Sequence, residues 1–238
     1  MTRVLLLHAG IADSRMWEPQ VEALRGAGHE PVAPDLPGFG DRALEPGVVD
    51  YVGFAAARLD GAAAVVGCSF GGRVALELAS ARPELVERLV LVAPGLGGWT
   101  WSESAQAAFA EEEELVQAGD LAGAAAQQAR LWLGSAASAE VRALTEAMTL
   151  RSYEQQLPLD GQVRSGWPEP PALDRLEQLD VPTLVVAGED DLEDVRAQCA
   201  LLGERLPNAR VETIAGAGHL PSLEQPGAFN RLLLDFLP

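Results

Sequence analysis

The sequence is poor in basic residues and in cysteine. Lys and Arg together number 17 against 35 Asp and Glu, which gives a formal charge of −18 at pH 7. A nucleic-acid partner is not expected, because affinity for the phosphate backbone depends on Lys and Arg, and anionic membrane surfaces would repel the chain. The two cysteines, Cys68 and Cys199, are too few for a disulfide framework and are expected to be small buried residues.

Long apolar runs are also missing. The first apolar run, residues 4–7, is too short for a signal-peptide core and far too short to cross a bilayer, so a cytoplasmic location is the expectation. Of the 238 residues, 48% are apolar and only 5% are aromatic. This composition favours a globular chain with one large α/β domain, or one domain that carries an insertion.

Short apolar runs alternate with amphipathic stretches over most of the chain. This alternation predicts βαβ units and a mostly parallel sheet flanked by helices. The predicted strands are 3–7, 31–34, 62–66, 86–93, 181–187 and 211–214. The predicted helices are 14–27, 51–59, 70–81, 193–205 and 227–236.

The alternation stops in the middle of the chain. From about 94 to 180 there is no convincing strand, and the stretches 104–118, 121–133 and 139–151 are helical in character. We interpret 95–180 as a helical insertion between two parts of a core domain, 1–94 and 181–238. Its aromatic residues either line a pocket or pack the insertion onto the core; they are Trp99, Trp101, Phe109, Trp132 and Trp167.

The segment 67–71 reads G-C-S-F-G and lies between a predicted strand and a predicted helix. A G-x-S-x-G pattern in this context is typical of a nucleophile elbow, which holds a serine on a sharp turn at the edge of a sheet. Such a turn needs a strained backbone at Ser69 and small neighbours, a demand that Gly67, Gly71 and Gly72 meet. Ser69 is therefore the candidate nucleophile.

A serine nucleophile needs a base to remove its proton, and the chain has only three histidines. His29 lies between a helix and a strand and is expected in a turn, whereas His8 ends the first strand. His219 follows the last strand, and loops at the carboxyl ends of parallel strands meet at one edge of the sheet. Position and elimination both favour His219 as the base.

The acid that orients the base is expected in the loop after strand 181–187. Four carboxylates lie there, Glu189, Asp190, Asp191 and Asp194, and some of them could instead complement the following helix dipole. An oxyanion hole also needs two N–H donors. The amide of Phe70, the residue after the nucleophile, is one candidate, and the second is Gly10, with Ile11 as the alternative.

Five motifs together resemble the α/β-hydrolase superfamily, in its small form with a helical cap inserted after the sixth strand. They are H-A-G at 8–10, D-L-P-G-F-G at 35–40, G-C-S-F-G-G at 67–72, G-E-D-D at 188–191 and G-A-G-H-L-P at 216–221. The resemblance implies an α/β-hydrolase fold with Ser69, Asp191 and His219 as a catalytic triad. The family usually has H-G-x where this chain has H-A-G, which leaves the choice between Gly10 and Ile11 open.

The resemblance implies a serine hydrolase that acts on a small to medium, largely apolar ester, thioester or lactone, without a metal or organic cofactor. Serine at the elbow argues against the dehalogenase and epoxide-hydrolase branches. A C–C bond hydrolase or enol-lactonase is an alternative, and it would bind a substrate carboxylate through basic residues such as Arg130, Arg142, Arg151 or Arg164. A ligand-binding receptor with little turnover is the alternative from another class.

Overall fold

The computed structural model describes all residues, 1–238, and centres on a six-stranded sheet with a separate two-stranded sheet. The strands are β1 (Arg3–Leu7), β2 (Glu30–Val32), β3 (Gly47–Asp50), β4 (Ala63–Cys68), β5 (Val86–Val92), β6 (Val163–Gly166), β7 (Thr183–Gly188) and β8 (Ala209–Ile214). The helices are α1 (Glu18–Gly26), α2 (Tyr51–Ala56), α3 (Phe70–Ala81), α4 (Glu103–Gln117), α5 (Leu121–Trp132), α6 (Ala139–Gln156), α7 (Glu193–Arg205), α8 (Pro221–Glu224) and α9 (Pro226–Phe236).

The large sheet has the order β2-β1-β4-β5-β7-β8, and all its strand pairs are parallel. The predicted parallel sheet is therefore confirmed. The chain first builds outward from β1 to β2 and then returns to β4, so the order reverses between β1 and β4. Leu7 pairs with Gly67 across this junction. Open α/β sheets bind ligands at such a reversal, beyond the carboxyl ends of the strands.

The strands are buried on both faces of the sheet, which explains their continuous apolar runs. In β1, Leu5 and Leu7 join the core beneath α2, α3 and α7, whereas Val4 and Leu6 join the core beneath α1 and α9. All four side chains are fully buried. Each contributes roughly 1.5–3 kcal/mol by its removal from water. None of the helices combines the length and the apolar composition needed to cross a membrane.

The segment 95–180 contains the three predicted helices as α4, α5 and α6. Each begins at a side-chain cap, in which Ser102, Asp120 or Ser138 accepts a backbone N–H of the first turn. α6 is longer than predicted and runs past residue 151 to Gln156. The boundaries 1–94, 95–180 and 181–238, and the role of the middle segment as a cap, stay an interpretation.

The expectation that 94–180 holds no strand is wrong. β6 lies in this segment and pairs in parallel with β3, so that Gly47 is opposite Val163 and Asp50 is opposite Gly166. β6 is short and its residues Arg164 and Ser165 are exposed. A local sequence pattern cannot reveal such a strand, because only its distant partner stabilises it.

Some element ends also differ from the prediction. The helix expected at 14–27 begins as a 3-10 turn, Ser14–Trp17, because Asp13 caps Arg15 and Pro19 stands in the first turn of α1. The strand expected at 31–34 ends at Val32, and the helix expected at 51–59 ends at Ala56. None of these shifts moves a residue of the predicted site.

Candidate active site

Ser69 lies at the sharp junction of β4 and α3, where the structure has the predicted elbow. Its backbone has φ 51° and ψ −112°, a left-handed conformation that costs about 1–3 kcal/mol for a non-glycine residue. A Cβ atom at Gly67 would lie 2.2 Å from the carbonyl oxygen of Gly71, and one at Gly71 would lie 2.2 Å from that of Leu7. Only glycine allows strand and helix to approach this closely.

His219 follows β8 and connects Ser69 with Asp191. Its Nε2 lies 2.7 Å from Ser69 Oγ, and its Nδ1 lies 2.8 Å from Asp191 Oδ2. His219 is 4% exposed and Asp191 is 6% exposed, so solvent does not compete strongly for these bonds. An Nδ1–H that donates to the carboxylate leaves Nε2 free to accept the serine proton. The structure thus brings the three predicted residues together, and their catalytic roles stay predictions.

Among the four candidate acids, only Asp191 contacts His219. Its second oxygen, Oδ1, accepts the amide of Leu192 at 2.8 Å, which fixes the carboxylate toward the imidazole. The other three carboxylates hold neighbouring segments. Asp190 accepts the amide and hydroxyl of Ser135, Glu189 accepts the amide of Gly216, and Asp194 accepts the hydroxyl and amide of Ser102 and the indole N–H of Trp99. Hydrogen bonds from Ser135 and Ser102 hold the pKa values of Asp190 and Asp194 below their usual range.

The backbone amides of Phe70, Gly10 and Ile11 donate no hydrogen bond within the chain. A Cβ atom at Gly10 would lie 3.6 Å from the Cβ of Phe70, so the candidate oxyanion loop lies against the elbow. Free N–H groups beside a serine can stabilise an oxyanion. Phe70 with either Gly10 or Ile11 therefore remains the predicted pair of donors.

His8 is fully buried at the start of this loop and fixes it to the rest of the molecule. Its Nε2 accepts the amide of Leu36 at 2.9 Å, and its Nδ1 donates to the carbonyl oxygen of Ala9 at 2.9 Å. Burial lowers the pKa of His8, which favours the neutral imidazole that these two bonds need. The carbonyl oxygen of His8 also accepts the amide of Gly71, so the loop is tied to α3.

The segment 95–180 contributes contacts to the site that the sequence does not predict. The ring of Trp132, at the end of α5, lies 4.2 Å from the imidazole of His219, and the carbonyl oxygen of Trp132 accepts the His219 amide at 2.7 Å. Thr149 on α6 donates its hydroxyl to the carbonyl oxygen of Ile11 at 2.9 Å. No short-range sequence signal marks either residue, because each contact joins segments distant in the chain.

Aromatic residues of the segment 95–180 pack against each other and also contact residues of the site. Trp101, Phe109 and Trp132 form one cluster of rings next to His219. Trp167 contacts Phe70, the residue after Ser69, and Tyr51, with ring centroids about 6 Å apart. Ser69 is half-buried, and aromatic rings contact both Phe70 and His219 beside it.

Two of the four arginines named as candidates for binding a substrate carboxylate donate to backbone carbonyl groups. Arg142 and Arg151 donate to the carbonyl oxygens of Gly134 and Gly40. A different cation, Arg73, lies one helical turn beyond Ser69, with its guanidinium 3.7 Å from the ring centroid of Trp167. Burial lowers the pKa of Arg73, and its buried Nε has no hydrogen-bond partner. No cluster of three His, Cys, Asp or Glu side chains is arranged to hold a metal ion.

Comparison with known proteins agrees with this fold. Residues 4–232 match the family described as the alpha/beta hydrolase family. A pimeloyl-[acyl-carrier protein] methyl ester esterase of Nitrosomonas europaea is 30% identical over 95% of this chain and 92% of its own length. The parallel sheet, the strained serine turn and these matches define a hydrolase of the α/β type. The chain belongs to the alpha/beta hydrolase family, and it is an enzyme.

Solved structures give the same result. An esterase from Thermogutta terrifontis superposes with a TM-score of 0.79 at 23% identity, covering 99% of this chain and 89% of that one, which shows the shared fold. An enzyme described as degrading N-acyl homoserine lactones superposes with a TM-score of 0.73 at 26% identity, covering 100% of this chain and 93% of that one. The α/β-hydrolase fold predicted from the motifs is confirmed.

Proposed function

We propose that the protein is a serine hydrolase that cleaves a small to medium, largely apolar carboxylic ester, thioester or lactone. The observation that carries the proposal is the continuous hydrogen-bonded series Asp191–His219–Ser69, with bonds of 2.8 and 2.7 Å. A serine hydroxyl is activated in this way when the base lies within hydrogen-bond reach and a third group orients it. The unpaired amides beside Ser69 add a place for an oxyanion.

The reaction uses groups of this chain and water. Ser69 Oγ attacks the carbonyl carbon while its proton passes to His219 Nε2, and the carbonyl oxygen becomes an oxyanion held by the Phe70 amide and that of Gly10 or Ile11. The imidazolium then protonates the leaving oxygen or sulfur, which departs and leaves an acyl-enzyme. In the second half, His219 takes a proton from water while the water oxygen attacks the acyl carbon. The imidazolium then returns this proton to Ser69 Oγ as the bond between Ser69 and the acyl group breaks, and the acid is released. Asp191 keeps Nε2 facing Ser69 throughout.

The relatives and the surroundings of Ser69 support the substrate class. The relative from Nitrosomonas europaea is named as a methyl ester esterase, and a structural neighbour is described as a lactone-degrading enzyme. Aromatic rings that contact Phe70 and His219, the neighbours of Ser69, favour an apolar acyl or alcohol group. We place the substrate pocket between the edge of the sheet and the insertion 95–180, which would act as its cap. The cytoplasmic location stays a prediction from the sequence.

The test is hydrolysis of p-nitrophenyl esters, from acetate to decanoate, by the native protein and by Ser69→Ala. We expect many turnovers per native molecule and a loss of at least about 10³-fold in Ser69→Ala. The matched control is Ser80→Ala, because Ser80 lies on the same helix and makes no side-chain hydrogen bond. The acyl chain length that gives the highest kcat/KM indicates the length of the acyl pocket.

A second readout separates the alternatives. A fluorophosphonate should label Ser69 in the native protein, and mass analysis of the labelled peptide identifies the residue. Turnover of lactones or C–C substrates without turnover of esters would favour the corresponding hydrolase. If no substrate turns over and Ser69 is not labelled, the hydrolase proposal is contradicted and a ligand-binding receptor becomes the better explanation.

A further inference from the structure

Glu224 is a buried carboxylate that the proposed reaction does not use. It is 7% exposed and lies at the end of α8, just after the loop that carries His219. Its Oε1 accepts the amides of Gly218 and Leu220 at 3.1 and 3.0 Å, and these residues flank His219 in the chain. Its Oε2 accepts the amides of Gly134 and Gly218 at 2.7 and 3.1 Å.

These bonds join the histidine loop to the insertion. Gly134 lies in the turn between α5 and α6, and a Cβ atom there would lie 2.4 Å from the amide nitrogen of Gly218. The amide of His219 itself donates to Trp132, at the end of α5. All three amides from Gly218 to Leu220 therefore have acceptors, two of them on Glu224 and one on the insertion. The main chain of His219 is fixed from both sides.

A carboxylate is a costly group to bury, since it loses its hydration. Burial raises the pKa of Glu224, and its hydrogen bonds with Gly218, Gly134 and Leu220 act in the opposite direction. Both oxygens are used, and charge-assisted bonds from backbone N–H groups are about twice as strong as neutral ones. A glutamine has only one acceptor oxygen, so its NH₂ group would face an N–H donor at this place.

We propose that Glu224 is a positioning residue: it holds the main chain of His219 at the distance from Ser69 that proton transfer needs, and it couples this loop to the α5–α6 turn of the insertion. The inference rests on the proposed function, because the geometry matters for catalysis only if His219 is the base. Proton transfer requires a heavy-atom distance of about 2.6–3.2 Å. The 2.7 Å bond between His219 and Ser69 lies near the short end of this range.

The experiment compares Glu224→Gln, Glu224→Asp and the native protein on a p-nitrophenyl ester. We expect Glu224→Gln to lower kcat roughly 10- to 100-fold, the factor that corresponds to a buried donor left without its acceptor. KM should change little, because Glu224 acts on the base and not on the bound substrate. Glu224→Asp keeps the charge with a shorter reach and should lie between the two. Active-site titration corrects each kcat for the fraction of competent protein.

A control in the same turn separates catalysis from stability. Ser135→Ala removes the hydroxyl bond to Asp190 and keeps the backbone amide bond, so kcat should stay within about twofold. Proton NMR gives a readout that does not depend on turnover: the low-field resonance of the Nδ1–H between His219 and Asp191 should shift or disappear in Glu224→Gln. A merely structural residue would lower the midpoint of thermal unfolding and leave this resonance unchanged in the folded protein.

The outcomes are distinguishable. A folded Glu224→Gln with kcat within about twofold of native and an unchanged low-field resonance would overturn the proposal. If Glu224→Gln does not fold, the same test is made on Glu224→Asp, with kcat and the low-field resonance as the two readouts. If the native protein hydrolyses nothing, the proposed function fails, and the resonance still shows whether Glu224 positions His219.

Discussion

Two neighbouring carboxylates, Asp190 and Asp191, lie in different surroundings, so their amide variants have different expected effects. Asp191 is buried against His219, whereas Asp190 is exposed and binds Ser135. Asp191→Asn should lower kcat by roughly 10³- to 10⁴-fold, because an amide favours the wrong tautomer of the imidazole. Asp190→Asn should stay within about threefold. Initial rates on a p-nitrophenyl ester measure both, and a larger loss in Asp190→Asn would reverse the assignment of the acid.

The same loop shows what residue-level sequence reasoning can predict. His219 could be found because three histidines leave few choices and topology places the ends of β7 and β8 side by side. The same topology predicts which loop carries the acid, but the choice of Asp191 within that loop came from the motif resemblance. The contacts of Glu224 with Gly134 and of Thr149 with Ile11 could not be found, because they join residues 90 and 138 positions apart and depend on how helices pack.

His8 predicts a pH dependence of stability. Burial lowers its pKa in the folded protein, so below about pH 6.5 the unfolded chain binds a proton that the folded chain does not. The contribution of His8 to the free energy of unfolding should therefore be complete above about pH 6.5. Below this pH the free energy of unfolding should fall by at most about 1.4 kcal/mol per pH unit. His8→Gln, whose amide oxygen can accept the Leu36 amide, should lose this component.

Urea unfolding at about pH 5 and about pH 8 measures the effect in both proteins. The buried carboxylates Glu77 and Glu224 have raised pKa values and add an opposite pH dependence, but they are common to both proteins. The difference between native protein and variant therefore isolates His8. An equal pH dependence of the free energy of unfolding in the two proteins would show that His8 is not its source.

At the scale of elements, α6 is expected to support the oxyanion loop. Thr149 donates to the carbonyl oxygen of Ile11, whereas the equally buried Thr145 donates to Val141 within its own helix. Thr149→Val leaves a buried carbonyl without its donor and should lower kcat about tenfold with KM nearly unchanged. Thr145→Val is the matched control and should stay within about twofold, because the helix already satisfies Val141.

Thr149→Val and Thr145→Val are compared by steady-state kinetics on one p-nitrophenyl ester. The thermal unfolding midpoint of each variant is measured as well. Equal losses of kcat in the two variants would show that α6 contributes only stability. An effect confined to Thr149→Val would show that the insertion helps to hold the loop of Gly10 and Ile11.

Elements differ in how far sequence predicts them. The buried strands of the large sheet could be predicted because their short apolar runs alternate with amphipathic stretches of helical length. β6 could not be predicted because only one of its four residues, Val163, is a typical strand residue and its pairing with β3 joins segments more than a hundred residues apart. The three helices of the insertion were found from composition, yet their contacts with His219 and Ile11 were not.

At the scale of the whole molecule, the charge of −18 should influence substrate choice. A protein with this excess of carboxylates lowers the local concentration of anions and raises that of cations, and salt screens the effect. Arg142 and Arg151 donate to the carbonyl oxygens of Gly134 and Gly40. Arg73 is the cation one turn from the nucleophile, and Trp167 lies on its guanidinium.

The expected result is a preference for neutral over anionic esters that weakens with salt. p-Nitrophenyl butyrate and the mono-p-nitrophenyl ester of succinic acid have similar size and differ by one carboxylate. The ratio of their kcat/KM values, anionic over neutral, should be below one and rise between about 10 mM and about 500 mM NaCl. The neutral ester serves as the control, because its kcat/KM should change little with salt. A ratio above one that falls with salt would instead point to a cation that binds the carboxylate, with Arg73→Gln as the next variant to measure.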